Sequence, residues 1–378
     1  MAVKITKPAR RRVQFHKLRV AAVDELTDDA VAVAFDVPPE LREAFGFRPG
    51  QHVTLRRADH GAGFAAGDGE VRRSYSICST PADLESGRFR IGVRLVPGGA
   101  FSTYLHEELQ PGDVLEVMPP LGHFTTAFAP DRARHYAAIV GGSGITPVLS
   151  LVATALRVEP SSRFTLLYGN RYARAVMFVE ELADLKDRYP GRLHVAHVLS
   201  REPQEAELFS GRLDPPRLER IFDTLLRVSN VDEWFLCGPQ GLVDGARDVL
   251  SGRGVPAERM HVELFFAEGE DADRRTAVAP PAADDADAAH VTMVLDGRSS
   301  SFAMRRDERV LDAARRVRGE VPYACTGGVC GTCRARLVEG EVRMARNYAL
   351  EPDELANGYV LTCQSSPITD ELTINYDA

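Results

Sequence analysis

Four short stretches in the first third of the chain carry strand signatures. His52–Arg57, Arg73–Cys78, Phe89–Val96 and Val114–Met118 alternate apolar with polar positions or are rich in β-branched residues. One helical stretch, Phe101–Leu109, interrupts them. Short strands around a single helix predict an antiparallel β-barrel over residues 1–130. From His135 the texture changes. Tyr136–Val140 is apolar and leads through a glycine-rich turn into a helical stretch, Val148–Leu156; Phe164–Tyr168 and Phe178–Tyr189 repeat the pair. His194–Leu199 and Trp234–Cys237 are further apolar runs, so residues 131–266 predict an α/β domain with a parallel sheet. Residues 267–289 are acidic and rich in alanine and proline without large apolar side chains, which reads as a linker whose ends would sit about 25 Å apart. Residues 290–378 reopen with a strand-like run, Val291–Leu295, and form the last predicted domain.

The chain has 378 residues, 44% hydrophobic and 26% charged, ordinary for a globular protein of two or three domains. A net charge of −8 argues against a nucleic-acid partner. The basic start (Lys4, Lys7, Arg10, Arg11, Arg12) is followed by no apolar core of a secretory signal, and no apolar run reaches the roughly 18 residues of a membrane span. The expected location is the cytoplasm, with no membrane partner.

Composition changes the picture most through cysteine. Of six, Cys325, Cys330, Cys333 and Cys363 crowd the last domain, whereas Cys78 and Cys237 stand alone. The first three are spaced C-x4-C-x2-C and the fourth follows much later, the spacing that places four thiolates around a [2Fe–2S] cluster. Zinc sites pair two short Cys hairpins, and only one short pair exists here. Gly327, Gly328 and Gly331 in the loop can take positive φ and let backbone N–H groups approach the sulfurs. Over about the last ninety residues the sequence resembles the plant-type ferredoxin domain, which implies a β-grasp fold.

Arg73-Ser-Tyr-Ser-Ile-Cys-Ser79 has strand character, so Arg73, Tyr75 and Ile77 share one face and Ser74 and Ser76 the other. Arg73 can neutralise a pyrophosphate with a forked donor, although a barrel strand with a surface arginine would look the same. Gly98-Gly99-Ala-Phe-Ser102-Thr103 opens a helix with small residues whose N–H groups are available to an anion. Together the two segments resemble the flavin motifs of the ferredoxin–NADP reductase superfamily. The resemblance implies FAD bound by Arg73, Ser74, Tyr75, Ser76, Gly98, Gly99, Ser102 and Thr103, with Ser76 near flavin N5. Pro120-Leu-Gly122-His-Phe124 resembles the family's barrel-closing segment and is read as structural.

Gly141-Gly-Ser-Gly144-Ile-Thr146-Pro147 follows an apolar strand and opens a helix, with Thr146 expected as its cap and Pro147 at its first position. A capped helix without a ligand would read alike. The resemblance implies that Gly141, Gly142 and Gly144 lie under the nicotinamide pyrophosphate and Thr146 beside the ring. Arg171, Arg174, Ser200 and Arg201 follow the next strands, where an arginine accommodates a 2′-phosphate; they favour NADPH, with NADH the alternative. Cys237-Gly238-Pro239 ends a buried strand. By resemblance Cys237 faces the nicotinamide; a small buried cysteine is the plain alternative. In His261-Val-Glu263-Leu-Phe265-Phe266 the resemblance makes Glu263 a proton partner for Ser76.

A narrower resemblance runs over nearly the whole chain, carried by Tyr168-Gly-Asn-Arg171, Val176-Met-Phe178, His197-Val-Leu-Ser-Arg-Glu-Pro203, Asn347-Tyr-Ala-Leu-Glu-Pro352 and Gly358-Tyr-Val-Leu-Thr-Cys363-Gln-Ser365. It is to the reductase subunits of phenylacetyl-CoA epoxidase complexes, and it is weak over the first fifty residues, over Gly61–Glu70 and in the linker. It implies an enzyme of phenylacetate catabolism that takes a hydride from NADPH, converts it on FAD into single electrons for the cluster, and reduces the diiron oxygenase subunits of a multicomponent monooxygenase. The same modules would serve a Rieske-type aromatic or steroid oxygenase, and a redox-sensing iron–sulfur binding module is the alternative of another class.

Overall fold

A computed structural model describes residues 15–58, 70–265 and 288–378, apart from the single positions 296, 320, 324 and 351. Most of the expected linker, the residues 61–69 and Phe266 lie outside the described residues.

The first domain is built on β1 (His16–Thr27), β2 (Ala30–Asp36), β3 (His52–Ala58), β4 (Glu70–Ser76), β5 (Arg88–Arg94) and β6 (Val114–Val117). Their order is β4-β3-β6-β1-β2-β5, with every pairing antiparallel. The two outer strands meet where Ile77 bridges Ile91 and the Cys78 N–H donates to Arg90 O at 2.9 Å, so the sheet closes on itself as a barrel. Closure removes the open edges that a six-stranded sheet would otherwise present. A short helix, α1 (Pro81–Glu85), fills the β4–β5 connection, and α2 (Ala100–Glu107) buries Phe101 and Leu105 in the barrel core with Leu18, Val33, Phe35 and Phe89. Two strands, β1 and β2, were not expected from the sequence. In β2, Ala-Val-Ala-Val-Ala-Phe is buried on both faces, so no polar alternation marks it.

The second domain has β7 (His135–Gly141), β8 (Arg163–Asn170), β9 (Leu193–Leu199), β10 (Glu233–Gly238) and β11 (Met260–Leu264), all parallel in the order β11-β10-β7-β8-β9. Helices α3 (Ile145–Val158), α4 (Val179–Arg188), α5 (Pro215–Thr224) and α6 (Gln240–Gly252) cover it. The start of α3 differs from expectation. Gly142–Gly144 form a tight 3-10 turn that runs into the helix at Ile145, so Thr146 and Pro147 lie inside its first turn rather than at its cap. Proline is tolerated there because first-turn N–H groups have no intrahelical acceptor.

The third domain is a mixed sheet of β12 (Ala288–Leu295), β13 (Arg298–Arg305), β14 (Arg334–Glu339), β16 (Tyr359–Leu361) and β18 (Glu371–Asn375), ordered β13-β12-β18-β14-β16. A second small ladder pairs β15 (Val342–Met344) with β17 (Ser365–Pro367). Helix α7 (Val310–Val317) lays Val310, Leu311, Ala313 and Ala314 on the sheet, and α8 (Pro352–Ala356) precedes β16. A hairpin joined in parallel to the last strand, with one helix across the sheet, is the expected β-grasp. Strand β12 begins two residues inside the expected linker.

The barrel and the α/β domain share a polar seam. Arg94 forks onto Asp29 (both bonds 3.0 Å) and donates to Ala175 O at 3.0 Å, and Ser150 Oγ donates to Ser79 O at 2.6 Å. A Cβ on Gly92 would stand 2.8 Å from Thr146 Oγ1 and 2.9 Å from Phe178, so only glycine allows β5 to approach this closely.

Candidate flavin, nicotinamide and cluster sites

The β3–β4 register pairs Ser76 with His52 and Ser74 with Thr54, and antiparallel partners point to the same face. On that face Ser76 Oγ donates to Glu263 Oε2 at 3.3 Å. Glu263 comes from β11, whose parallel register sets it beside Cys237 of β10, and the thiol Sγ reaches the same carboxylate oxygen at 4.0 Å. His52 Nδ1 lies 3.9 Å from Glu263 Oε1. The structure therefore gathers Ser76, Cys237 and Glu263 from two domains into one crease.

Burial governs the ionisation of this group. It pushes the Glu263 carboxyl up to about 8, against the lowering effect of the Ser76 hydrogen bond. Burial, with the neighbouring His123, pushes His52 down to about 4. Burial and then Glu263 push the Cys237 thiol well up. At neutral pH the crease holds a protonated carboxyl, a neutral imidazole and a thiol: a set that can hand over a proton without holding net charge. Cys78, at the barrel closure, is raised by burial to about 12. The motifs read from the sequence did not single out His52; its register opposite Ser76 is the signal that would have found it.

Arg73 and Tyr75 lie on the opposite face of β4. The ring of Tyr75 sits 6.2 Å from that of Phe101 at the start of α2, so the strand motif and the Gly98–Thr103 turn are neighbours. Ser102 is buried and ties this turn: its Oγ donates to Gly99 O at 2.8 Å and accepts from the Val96 N–H at 3.1 Å. Among the described residues His52 Nε2 is buried without a hydrogen-bond partner, and nothing lies within 4 Å of where a Cβ of Gly98 would stand. An unsatisfied polar atom in the crease and an open glycine turn at a helix start fit a flavin with its pyrophosphate.

The Gly141–Gly144 turn faces the Gly238–Gln240 turn. A Cβ at Gly144 would stand 2.4 Å from Cys237 O, so the two loops pack backbone to backbone. Thr146 is buried and its Oγ1 donates to Ser143 O at 2.8 Å, bracing the turn. The ends of β8 and β9 run on together. The Ser200 N–H donates to Asn170 O (2.8 Å) and the Arg201 N–H to Arg171 O (2.9 Å), so Arg171 and Arg201, both exposed, stand side by side with Arg174 nearby in the chain.

In the third domain the loop after Cys325 curls back on its own sulfur. Cys325 Sγ accepts the N–H groups of Val329 (3.4 Å) and Cys330 (3.3 Å). The turn takes positive φ at Gly328 (82°) and Gly331 (68°), and also at Thr326 (53°). At Gly328 a Cβ would also meet Gln364 Cγ at 2.9 Å. Gln364 Nε2 donates to Thr326 O at 2.7 Å and approaches Cys363 Sγ at 3.8 Å, tying the fourth cysteine to the loop. The Cys325 N–H in turn approaches Cys330 Sγ at 3.5 Å. Bonding to Cys330 pulls Cys325 down to about 6 and pushes Cys330 well up, and bonding to Cys333 pushes Cys363 well up. Among the described residues no three His, Cys, Asp or Glu side chains converge on a single ion. Three thiols from one loop and a fourth tied to it through Gln364 fit the donor set of an iron–sulfur cluster.

Comparison with known proteins agrees with this division. Residues 17–126 match the oxidoreductase FAD-binding domain, residues 138–248 the oxidoreductase NAD-binding domain and residues 293–367 the 2Fe-2S iron-sulfur cluster binding domain. A subunit of 1,2-phenylacetyl-CoA epoxidase from Escherichia coli (strain K12) is 43% identical over 365 residues, covering 96% of this chain and 98% of that one. The ferredoxin reductase component of 3-ketosteroid-9-alpha-monooxygenase from Rhodococcus rhodochrous is 35% identical, covering 95% and 96%. Phthalate dioxygenase reductase, a solved structure described as modular for electron transfer from pyridine nucleotides to [2Fe-2S], shares the fold with a TM-score of 0.56 at 24% identity, covering 96% of this chain and 98% of that one. No helix among the described residues is long and apolar enough to cross a membrane. With three domain families in this order and relatives aligned end to end, the chain belongs to the flavin- and iron–sulfur-containing reductases of the ferredoxin–NADP reductase superfamily, in the family that includes this subunit of 1,2-phenylacetyl-CoA epoxidase.

Proposed function

We propose that the chain is the electron-entry component of a multicomponent monooxygenase that epoxidises phenylacetyl-CoA, taking electrons from NADPH and passing them to diiron oxygenase subunits. The observation that carries this reading is the 43% identity, over nearly both full lengths, to the subunit of 1,2-phenylacetyl-CoA epoxidase. FAD would be held by Arg73, Ser74, Tyr75, Ser76 and the Gly98-Gly99 turn with Ser102 and Thr103, and would supply the conversion of a hydride into single electrons. Ser76, Glu263 and Cys237 form the chain's own proton store beside it. Glu263, neutral at pH 7, can lend a proton through the Ser76 hydroxyl and regain it from solvent. Gly141, Gly142, Gly144 and Thr146 with Gly238-Pro239 would hold the dinucleotide, and the exposed Arg171, Arg174 and Arg201 with Ser200 favour a 2′-phosphate, hence NADPH over NADH. Cys325, Cys330, Cys333 and Cys363 would ligate the cluster.

A second reading, reductase of a Rieske-type steroid oxygenase, draws on the 35% identity to the ketosteroid monooxygenase component. Reconstitution decides between them. The purified chain, with NADPH and oxygen, is expected to support turnover of phenylacetyl-CoA by a purified diiron epoxidase. Turnover only with a Rieske oxygenase on a steroid would replace the first reading by the second.

A further inference from the structure

Strand β4 has a second functional end. Alternation puts Arg72 on the same face as Ser74 and Ser76, four residues before the crease, hence about 13 Å from it along the strand. Arg72 is only 3% exposed. Its Nη1 donates to Val321 O of the third domain at 3.3 Å, and its guanidinium lies 4.6 Å from the centre of the Tyr323 ring and 5.2 Å from that of Phe15. Val321 and Tyr323 lead straight into Cys325. Arg315 of α7 lies against the same Tyr323 ring at 4.0 Å, so the ring is packed from its own domain as well.

A second contact holds the far side of the cluster loop. Val329, between Cys325 and Cys330, and Tyr348 pack against the apolar core of the α/β domain, and Gln240 Nε2 donates to the Tyr348 hydroxyl at 3.3 Å. The cluster loop is thus gripped on both flanks, by the flavin strand before Cys325 and by the nicotinamide domain at and after it. A guanidinium is costly to bury without partners; the barrel's own Phe15 ring lies beside it, and Val321 O and the Tyr323 ring come from the third domain. Water can take their place when the third domain lifts, so the contact selects a seat without making it permanent.

We propose that Arg72 is a positioning residue for electron transfer: it seats the cluster loop against the flavin strand. The proposal rests on the reading that β4 serves FAD and the four cysteines serve the cluster. The step concerned moves one electron from reduced flavin to one iron of the cluster, Fe(III) becoming Fe(II); no bond forms or breaks, and the nicotinamide hydride has already supplied the electron pair.

The test uses the full-length holoprotein with Arg72→Gln, Arg72→Lys and, from the other side of the contact, Tyr323→Leu. After anaerobic mixing with NADPH, flavin and cluster absorbance are followed separately, and hydrogen exchange is measured over residues 321–323. In Arg72→Gln and Tyr323→Leu the expected result is unchanged FAD and iron content, unchanged flavin reduction, faster exchange at 321–323, and slowed cluster reduction: about tenfold or more in Arg72→Gln, the scale of one lost charge-assisted hydrogen bond, and about threefold or more in Tyr323→Leu, the scale of one lost cation–π contact. Arg72→Lys, which keeps the charge but not the fork, should recover part of the rate. Cluster reduction at the parent rate in both Arg72→Gln and Tyr323→Leu overturns the proposal. So does flavin reduction falling in step with it, which would put Arg72 in the flavin site instead. A parent protein without FAD or without two irons per chain overturns the underlying reading and the proposal together.

Discussion

Replacing Glu263 by Gln isolates the protonation of the crease. The native carboxyl titrates at about 8 and the unperturbed one at 4.5. Between those values the native chain holds a proton that the unfolded chain has lost. The stability contributed by the neutral carboxyl is complete below pH 4.5 and is lost as pH rises through 8. The full gap corresponds to about 5 kcal/mol, and about 2 kcal/mol remains if water admitted to the crease relieves part of the burial. Glutamine keeps the shape and never ionises, so its variant lacks this slope. His52, lowered to about 4, is common to both proteins and cancels in the difference. Trp234, the chain's single tryptophan, is fully buried on β10, the strand paired with the one that carries Glu263, and its fluorescence reports unfolding of that domain. Urea midpoints of the two proteins, compared from pH 5 to 9, should separate progressively in favour of Glu263→Gln. Parallel curves across that range would refute the assignment of a neutral buried carboxyl.

Three further outcomes follow from the other sites. Cys330→Ser should cost the protein its cluster iron while FAD binding and ferricyanide reduction persist and oxygenase reduction stops; loss of ferricyanide reduction with FAD still bound would mean that flavin chemistry depends on the third domain. Arg171→Asp should lower kcat/KM for NADPH roughly ten- to a hundredfold more than for NADH by setting a carboxylate against the 2′-phosphate, and equal losses would remove Arg171 from the specificity site. Gly144→Ala forces a Cβ to 2.4 Å from Cys237 O, so it should raise KM for the nicotinamide and lower the Trp234-monitored stability by about 1–3 kcal/mol; a neutral effect on both would contradict the backbone-to-backbone packing of the two turns.

What the sequence revealed and what it hid divide along sequence distance. The cysteine spacing, the Arg73–Ser79 strand and the Gly141–Pro147 turn are local patterns, each made by a turn or strand whose chemistry is written in adjacent residues. The barrel strands β1 and β2 were missed because alanine and valine buried on both faces leave no period to detect. Helices α5 and α6 were missed as well: each carries a buried apolar stripe, but in α6 the stripe is broken by Gly241, Gly245 and Gly252 and in α5 by charged residues on the same turns. The crease was foreseeable only in part. Ser76 and Glu263 are 187 residues apart and were joined by family resemblance alone, while His52 required the β3–β4 register. The grip of Arg72 on Val321 spans 249 residues and has no local signature, since a buried arginine and a surface arginine look alike until the opposing domain is in place.

The two solitary cysteines give the protein an internal counter. Alkylating reagents attack thiolates that they can reach, and Cys78 and Cys237 are buried with their thiols pushed far above neutral pH. Folded protein treated with iodoacetamide should therefore spare both. Any adduct on native protein then belongs to Cys325, Cys330, Cys333 or Cys363, and a metal-bound thiolate is shielded. Intact mass after brief labelling reads cluster loss chain by chain: no adducts on loaded molecules, a first at the half-buried, acidic Cys325 of emptied ones, and adducts at Cys78 or Cys237 only once the barrel or the α/β domain has come apart.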